Sequence, residues 1–582
     1  MGAALSNPMS VNAEILFFRD KNLPLLIELP LQQNGSSWTG VIEQVDSTSQ
    51  LCLLWFLSGV DVDDNHGRLW PVLLVDHDGR PVEGAHLRMA SLLLNSGFPD
   101  FRMTKSQDSA RAEAMEELRL YPSSWKAREM LWDIAFRTAP GEETISRIKN
   151  ELNDVFNKSG HDEAIVATLV DFFDRTGQRS KAAEIRRAMV SAYPRGSIAE
   201  RSRQELIFAE RDPSRRADLL EQFLTDFPLQ GPRIEEYHTK LALLYLETGS
   251  LSKLDTLLNL PGISPGTYYD IAFAMMRDDD KVEKAAAHAG KAVRLLQIQG
   301  PASKPPYMSL ARWEELHRKS LGMALDLFAE GLTRTGKAAL AEKALTEAYE
   351  LTGGQVDRIN EHLAATLLLN GKGRDVLKVC SASVQRGAFT DSLMVLFRNA
   401  YLQEVGTDRG FEEYVNISRD IARSAVRQKY LRDRLGIPGG DFLLKGLDGK
   451  RIRLSSLTGK VVVLEFWATW CEPCESSFPY LQHVYEKYRG NENVRILALN
   501  VWERVSGPER EMLARDFVDH RHVTIPVLLD ESYAEQNGVD GLPTIFVVDR
   551  KGKIQFKTVG FGDGEQMVEE LKQQIELLIN EP

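Results

Sequence analysis

Four cysteines occur in the 582 residues, at positions 52, 380, 471 and 474, and the last two stand close enough in sequence to act together. They lie in Trp470-Cys471-Glu472-Pro473-Cys474, directly after the apolar run Val461-Val-Val-Leu-Glu-Phe-Trp467. Such a run reads as a buried strand feeding a helix, which puts Cys471 just before the helix and Cys474 in its first turn. Unsatisfied N–H groups and the positive end of the dipole favour thiolate over thiol at that place. A thiolate there can attack a disulfide, and a thiol one turn away can displace the mixed disulfide that forms. The chemistry open to this pair is thiol–disulfide exchange, with Cys471 attacking and Cys474 resolving. It calls for no cofactor and no metal.

The neighbouring residues modify that reading. Pro473 is tolerated because the first helical turn has no use for its missing N–H. Glu472 sets a negative charge beside the nucleophile and opposes the dipole. The competing use of a Cys-x-x-Cys segment is half of a zinc site, which needs two more Cys or His ligands. His483, His520 and His522 are the nearest candidates, and no second cysteine pair accompanies them. Glu465 lies inside the apolar run, where an unpaired carboxyl is costly and has a raised pKa; such a group can take the proton of Cys474. Its alternative is a carboxylate facing a surface or a lysine. Gly541-Leu542-Pro543-Thr544 precedes another apolar strand. A cis Leu542–Pro543 bond would bring that loop against the cysteines and leave backbone groups free for an extended substrate; an ordinary trans turn is the alternative.

These residues need a scaffold, and the pattern beyond the Pro/Gly stretch Gly436-Ile-Pro-Gly-Gly440 supplies one. Strands are expected at 461–467, 494–501, 525–529, 544–548 and 554–559, and helices at 472–488, 509–520 and 565–579. Continuous apolar strands alternating with helices mean a sheet buried on both faces. Residues 437–580 resemble the thioredoxin-like TlpA/ResA branch of thiol–disulfide oxidoreductases, a family that includes cytochrome c maturation reductases. The matching stretches are Asp441-Phe-Leu-Leu, Leu447-Asp-Gly-Lys, Leu457-Thr-Gly-Lys-Val-Val-Val-Leu, Phe466-Trp-Ala-Thr-Trp-Cys-Glu-Pro-Cys and Gly541-Leu-Pro-Thr. The resemblance implies a thioredoxin fold with Cys471 attacking, Cys474 resolving, Pro543 as the cis-proline and Glu465 as the buried acid, supported by Trp470, Glu472, Pro473 and Leu542. It implies protein dithiol or disulfide substrates, an upstream thiol reductant and a part in cell redox homeostasis. The family also carries a second carboxylate six residues after the first cysteine. Here that place is Ser477, so the resemblance does not extend to specificity for apocytochrome c or to the direction of exchange.

The rest of the chain is organised differently. A length of 582 residues exceeds one core, so a multidomain protein is expected: an Ig-like β-sandwich over 1–100, an all-α tetratricopeptide-like solenoid over 101–435, and the α/β thioredoxin fold over 436–582. Short strands and turns such as Asp78-Gly79 punctuate residues 11–95. Asp61, Asp63, Asp64 and Asn65 invite a calcium reading, but His66 and Val72 stand where an EF-hand loop needs Gly and Glu, which leaves a solvated turn. From 107 to 430 apolar residues recur at spacings of three and four, as in Ala112, Met115 and Leu118, or Ala338, Ala341, Leu345 and Ala348. Turn pieces at Gly177, Gly249, Gly336 and Gly371 vary one theme, with 35 residues between the last two, near the repeat of about 34 residues of tetratricopeptide arrays. Tyr121-Pro122, Tyr193-Pro194 and Phe227-Pro228 close helices. Such arrays hold protein partners, or serve as spacers or as scaffolds for dimerisation.

A net charge of −12 speaks against nucleic acid or an anionic membrane as a general partner, and no apolar run reaches the length of a membrane span. No signal-like segment opens the chain, which fits either a cytoplasmic protein or removal of a leader. The domain order resembles multidomain bacterial envelope proteins and favours the periplasm or cell envelope. Cys52 and Cys380 are expected to be inert buried thiols. Two functions compete: a protein-disulfide reductase whose helical repeats recruit clients, and a repeat-based adaptor whose thioredoxin domain docks. A thiol peroxidase would need Thr and Pro where Ala468 and Leu464 stand.

Overall fold

The structure is a computed structural model that describes residues 10–20, 22–35, 37–58, 61–63, 69–95, 106–138, 141–159, 162–229, 232–387, 390–503, 505, 507–539, 541–562 and 564–581. It divides into two compact units, residues 1–412 and 413–582. No described helix is long and apolar enough to cross a membrane.

In the first unit, the strands Leu25–Pro30, Asn12–Arg19, Ser49–Ser58 and Asp61–Asp63 lie side by side, and Trp70–Leu73 also pairs with Ser49–Ser58, all antiparallel. Side chains alternate between faces. Leu16, Phe18, Leu51, Leu53 and Trp55 share a core with Ala90 and Leu93 of the helix Ala85–Asn95, while Ala13, Ile15, Phe17 and Cys52 form a second core with Leu29, Leu31 and Ile42. The Asp78-Gly79 turn is present: Gly79 has φ +75° and Val75 lies opposite Pro81. Asp61 and Asp63 fall within a strand; Asp64, Asn65 and His66 lie outside the described residues.

Helices then run from Gln107–Leu120 to Phe411–Arg432, each packed chiefly on its chain neighbours. The four glycines of the turn theme share one geometry. Gly177, Gly249, Gly336 and Gly371 all take left-handed φ between +69° and +78°. At each, the glycine N–H donates to the carbonyl three residues back and the next N–H to the carbonyl five back, the Schellman pattern that ends a helix. Tyr121, Tyr193 and Phe227 cap their helices as expected. The helix Gln107–Leu120 is present as the spacing of Ala112, Met115 and Leu118 suggests; it buries Ala110, Ala114 and Glu117 and leaves Met115 58% exposed. Glu117 wins its inward place because its Oε1 accepts the Gly84 N–H at 2.7 Å.

The second unit is built on an eight-stranded sheet in the order Arg451–Arg453, Leu443–Gly446, Val527–Leu529, Val494–Asn500, Val461–Trp467, Thr544–Val548, Lys553–Val559, Ile437–Pro438. Val461–Trp467 is central, parallel to Val494–Asn500 and antiparallel to Thr544–Val548, and every residue in it is buried. Val461, Val463 and Trp467 face the core that contains Phe478, Leu481, Val568 and Leu571 of the helices Glu472–Tyr488 and Gly564–Ile579. Val462, Leu464 and Phe466 face Phe442, Leu454, Tyr533 and Phe546. The Gly436–Gly440 stretch supplies the edge strand Ile437–Pro438, because the Gly439 N–H donates to the Gly552 carbonyl and Ile437 pairs with Ile554.

Candidate active site

Strand 461–467 ends in the middle of the sheet, and the chain turns through Ala468, Thr469 and Trp470 into the helix Glu472–Tyr488. Cys471 is the residue before that helix, with extended backbone angles, and its Sγ accepts the Cys474 N–H at 3.2 Å. A sulfur therefore occupies the capping place that a serine or aspartate oxygen takes elsewhere. Pro473 falls in the first turn, where its missing N–H leaves no gap. Cys471 and Cys474 are joined as a disulfide. Cys471 keeps 5% of its surface exposed and Cys474 none. Trp470, 45% exposed, flanks the pair and donates from Nε1 to the Trp502 carbonyl at 2.8 Å. Glu472 is exposed beside it.

The turn before Cys471 is fixed by groups the sequence reading did not single out. Glu503 accepts the Thr469 N–H at 2.7 Å and the Thr469 hydroxyl at 2.8 Å. Asn500, fully buried, donates to Glu503 at 2.7 Å and accepts from Arg510 Nε at 2.9 Å. Burial lowers the Arg510 pKa from its ordinary value. Their signal was position: Asn500 and Glu503 lie at the carboxyl end of the parallel strand next to the one that leads to the cysteines, where ligand-binding groups of such sheets gather.

Glu465 is fully buried. Alternation along its strand turns it toward the core that holds Cys471 and Cys474. Its Oε1 accepts the Ser477 hydroxyl at 2.6 Å, and its Oε2 has no partner among the described residues. Burial pushes its carboxyl up to about 7, against the pull of the Ser477 bond. The Leu542–Pro543 bond is cis. Thr544 lies opposite Phe466, so the antiparallel register sets Pro543 beside Trp467, at the strand end that leads to Cys471. The Pro543 carbonyl accepts the Gly560 N–H at 2.7 Å, whereas the amide and carbonyl of Leu542 have no partner among the described residues. Cys471, Cys474, Glu465 and Pro543 thus converge on one end of one sheet.

The other two thiols, Cys52 and Cys380, belong to the first unit and are buried there. Burial raises Cys52 to about 11 and Cys380 to about 12, so both stay protonated at neutral pH.

Residues 435–575 match the Redoxin family. The chain is similar to the thiol-disulfide oxidoreductase ResA of Bacillus thuringiensis (strain Al Hakam), 35% identical over 141 residues that make up 24% of this chain and 78% of that one. It is likewise similar to ResA of Geobacillus thermodenitrificans (strain NG80-2), 36% identical over 169 residues, 29% of this chain and 86% of the relative. Among solved structures, StoA from Bacillus subtilis is 26% identical over 23% of this chain and 97% of its own, with a TM-score of 0.20. The match runs through most of each ResA chain, and by its carboxyl-terminal unit this chain belongs to the ResA-like thiol-disulfide oxidoreductases.

Proposed function

We propose that the Cys471–Cys474 dithiol reduces disulfides in protein clients. The observation that carries this reading is the pair itself: one sulfur at a helix cap and slightly exposed, the second enclosed directly behind it. In the reduced form, the Cys471 thiolate attacks one sulfur of a client disulfide. A Cys471–client disulfide forms and the other client sulfur leaves as a thiolate. Cys474 then loses its proton to Glu465 and attacks Cys471 Sγ, which closes the Cys471–Cys474 bond and releases the second client thiolate. Two electrons pass from the dithiol to the client, and its two thiolates take up two protons. Glu465 suits the proton step because a carboxyl near 7 takes up and returns a proton at neutral pH. The Leu542 backbone groups, without a partner among the described residues, suit an extended client strand, and Trp470 offers it an aromatic face. A separate dithiol donor returns the pair to the reduced state.

The helical repeats hold the protein partners in this reading. Support comes from a groove of about 600 Å³ among the helices Trp125–Thr138, Glu163–Arg175 and Ser197–Ala209, lined by Asp133, Phe172, Arg175 and Arg201. A bacterial periplasm or cell envelope is the location in this reading, supported by a domain order that resembles multidomain bacterial envelope proteins. An insulin-reduction assay tests the activity. Turbidity should develop with the wild-type protein and fail with Cys471→Ser, while Cys474→Ser should accumulate client-linked mixed disulfides; undiminished reduction by Cys471→Ser would remove the proposal.

A further inference from the structure

Ser477 occupies an unusual place for a helical serine. It lies on the inward face of the helix Glu472–Tyr488, fully buried. Its Oγ is 2.6 Å from Glu465 Oε1 on the central strand and 2.8 Å from the Cys474 carbonyl oxygen one turn earlier on its own helix. A hydroxyl has a single proton to donate, so it cannot serve both oxygens at once. While the Glu465 carboxyl is ionised, the stronger acceptor takes that proton. Once Glu465 is protonated, its own O–H can donate to Ser477 Oγ, and the serine proton turns to the Cys474 carbonyl.

We propose that Ser477 is a positioning residue whose hydroxyl holds the Glu465 carboxylate and switches to the Cys474 carbonyl when Glu465 takes up a proton. The switch ties the protonation state of the acid to the turn that carries the resolving sulfur. It also sets the pH at which that acid can accept the Cys474 proton.

Among the described residues, Ser477 is the side chain that hydrogen-bonds this carboxyl. The neighbouring strands set Ala498 and Ile545 opposite Glu465. The helix Gly564–Ile579 contributes Val568, Leu571 and Ile575 to the same core. Among the described residues, no charged group acts on Glu465; burial raises its pKa and the Ser477 bond lowers it. The titratable group on the turn that Ser477 closes is Cys474. Taking the serine bond away therefore leaves burial unopposed, and the acid must hold its proton to higher pH.

The inference rests on the reductase reading for its meaning, but its test needs no turnover. In the oxidised full-length protein, the carboxylic-acid infrared band of Glu465, assigned by its loss in Glu465→Gln, is titrated against pH. Ser477→Ala should move the midpoint upward by about one pH unit, and Ser477→Thr, which keeps the hydroxyl, should leave it in place. With the Cys474 carbonyl labelled with carbon-13, its amide band should titrate together with Glu465 in the wild type and stop doing so in Ser477→Ala. Should the alanine variant fail to fold, the isosteric pair Ser477→Thr and Ser477→Val, which differ in the hydroxyl, repeats the comparison. An unmoved midpoint in Ser477→Ala, or equal shifts in the Thr and Val variants, overturns the proposal. Insulin reduction measured in parallel separates the two ideas, because either can fail while the other stands.

Discussion

Asp326 in the helical part of the first unit and Glu465 in the carboxyl-terminal unit are both withdrawn completely from solvent, and the molecule treats them in opposite ways. Asp326 is surrounded by cations. His362 Nδ1 lies 2.7 Å from its Oδ1, and Arg358 Nε lies 2.8 Å from its Oδ2, close enough for an ion pair although the N–H is not aligned for a hydrogen bond. The Asp326 carboxylate in turn holds His362 above the ordinary imidazole range. Glu465 meets a serine and apolar side chains instead, and its second oxygen has no partner among the described residues. A buried carboxylate matched by cations fixes helices to one another. One left unmatched is poised to change its charge, which is what proton transfer requires.

The cysteines divide along the same line, and they give the largest test of it. Cys471→Ser should lower client-disulfide reduction by more than about a thousandfold. Cys52→Ala and Cys380→Ala should leave the rate unchanged, because burial keeps those thiols protonated and enclosed within the first unit. A rate that fell with either distant cysteine would break the division between reactive and structural groups.

The chemistry was more legible in the sequence than the means of holding it. Cys471, Cys474, Glu465 and Pro543 could be picked out because each departs from its surroundings: a close pair, an acid in an apolar run, a proline before a strand. The contacts that position them join residues distant in sequence. Ser477 reaches Glu465 across 12 positions and Glu503 reaches Thr469 across 34, and neither spacing follows from helix or strand periodicity. The turn glycines were legible as a theme because the left-handed φ at each excludes most other residues. The inward face of Gln107–Leu120 was not. Small alanines and a hydrogen-bonded glutamate outcompeted Met115 for the core, and a hydrophobicity count does not weigh such packing.

Glu465→Gln sharpens the comparison through stability. The folded-state pKa of about 7 lies above the ordinary 4.5, so the folded unit binds a proton that the unfolded chain has lost between those values. Stability contributed by this residue is therefore complete below pH 4.5, declines as pH rises through 7, and is then constant. That gap corresponds to about 3 kcal/mol at alkaline pH. Glutamine has no charge to withdraw from water, so Glu465→Gln should match the wild type near pH 4 and exceed it at pH 8. Amide hydrogen exchange in Val461–Trp467 at the two pH values measures this; an equal difference at both would contradict an unmatched acid.

Asp326→Ala should act with the opposite sign. It removes the partner of His362 and one of the two carboxylates paired with Arg358, which keeps Glu330 at 2.8 Å; both cations are about a third exposed, at 32% and 36%, so water screens part of the loss. The expected cost is about 2 kcal/mol, seen as faster amide exchange in the helix Leu310–Arg334. Exchange in Val461–Trp467 should not change. A stabilised Asp326→Ala would mean that the cationic cage is a burden, and would place Asp326 with Glu465.

The smallest effect concerns backbone alone. Gly336 has φ +77° and an added Cβ there would meet no atom within 4 Å, so Gly336→Ala isolates the cost of left-handed backbone from any clash. That cost should be about 1 kcal/mol, and Gly336→Asn should lose less, because asparagine tolerates this conformation better. Gly371, at φ +70° with the same open surroundings, should respond alike. Thermal melts of the four variants decide the matter. Alanine and asparagine costing the same would show that the turn can leave the left-handed region, and the shared geometry of the four glycine turns would then reflect convenience instead of necessity.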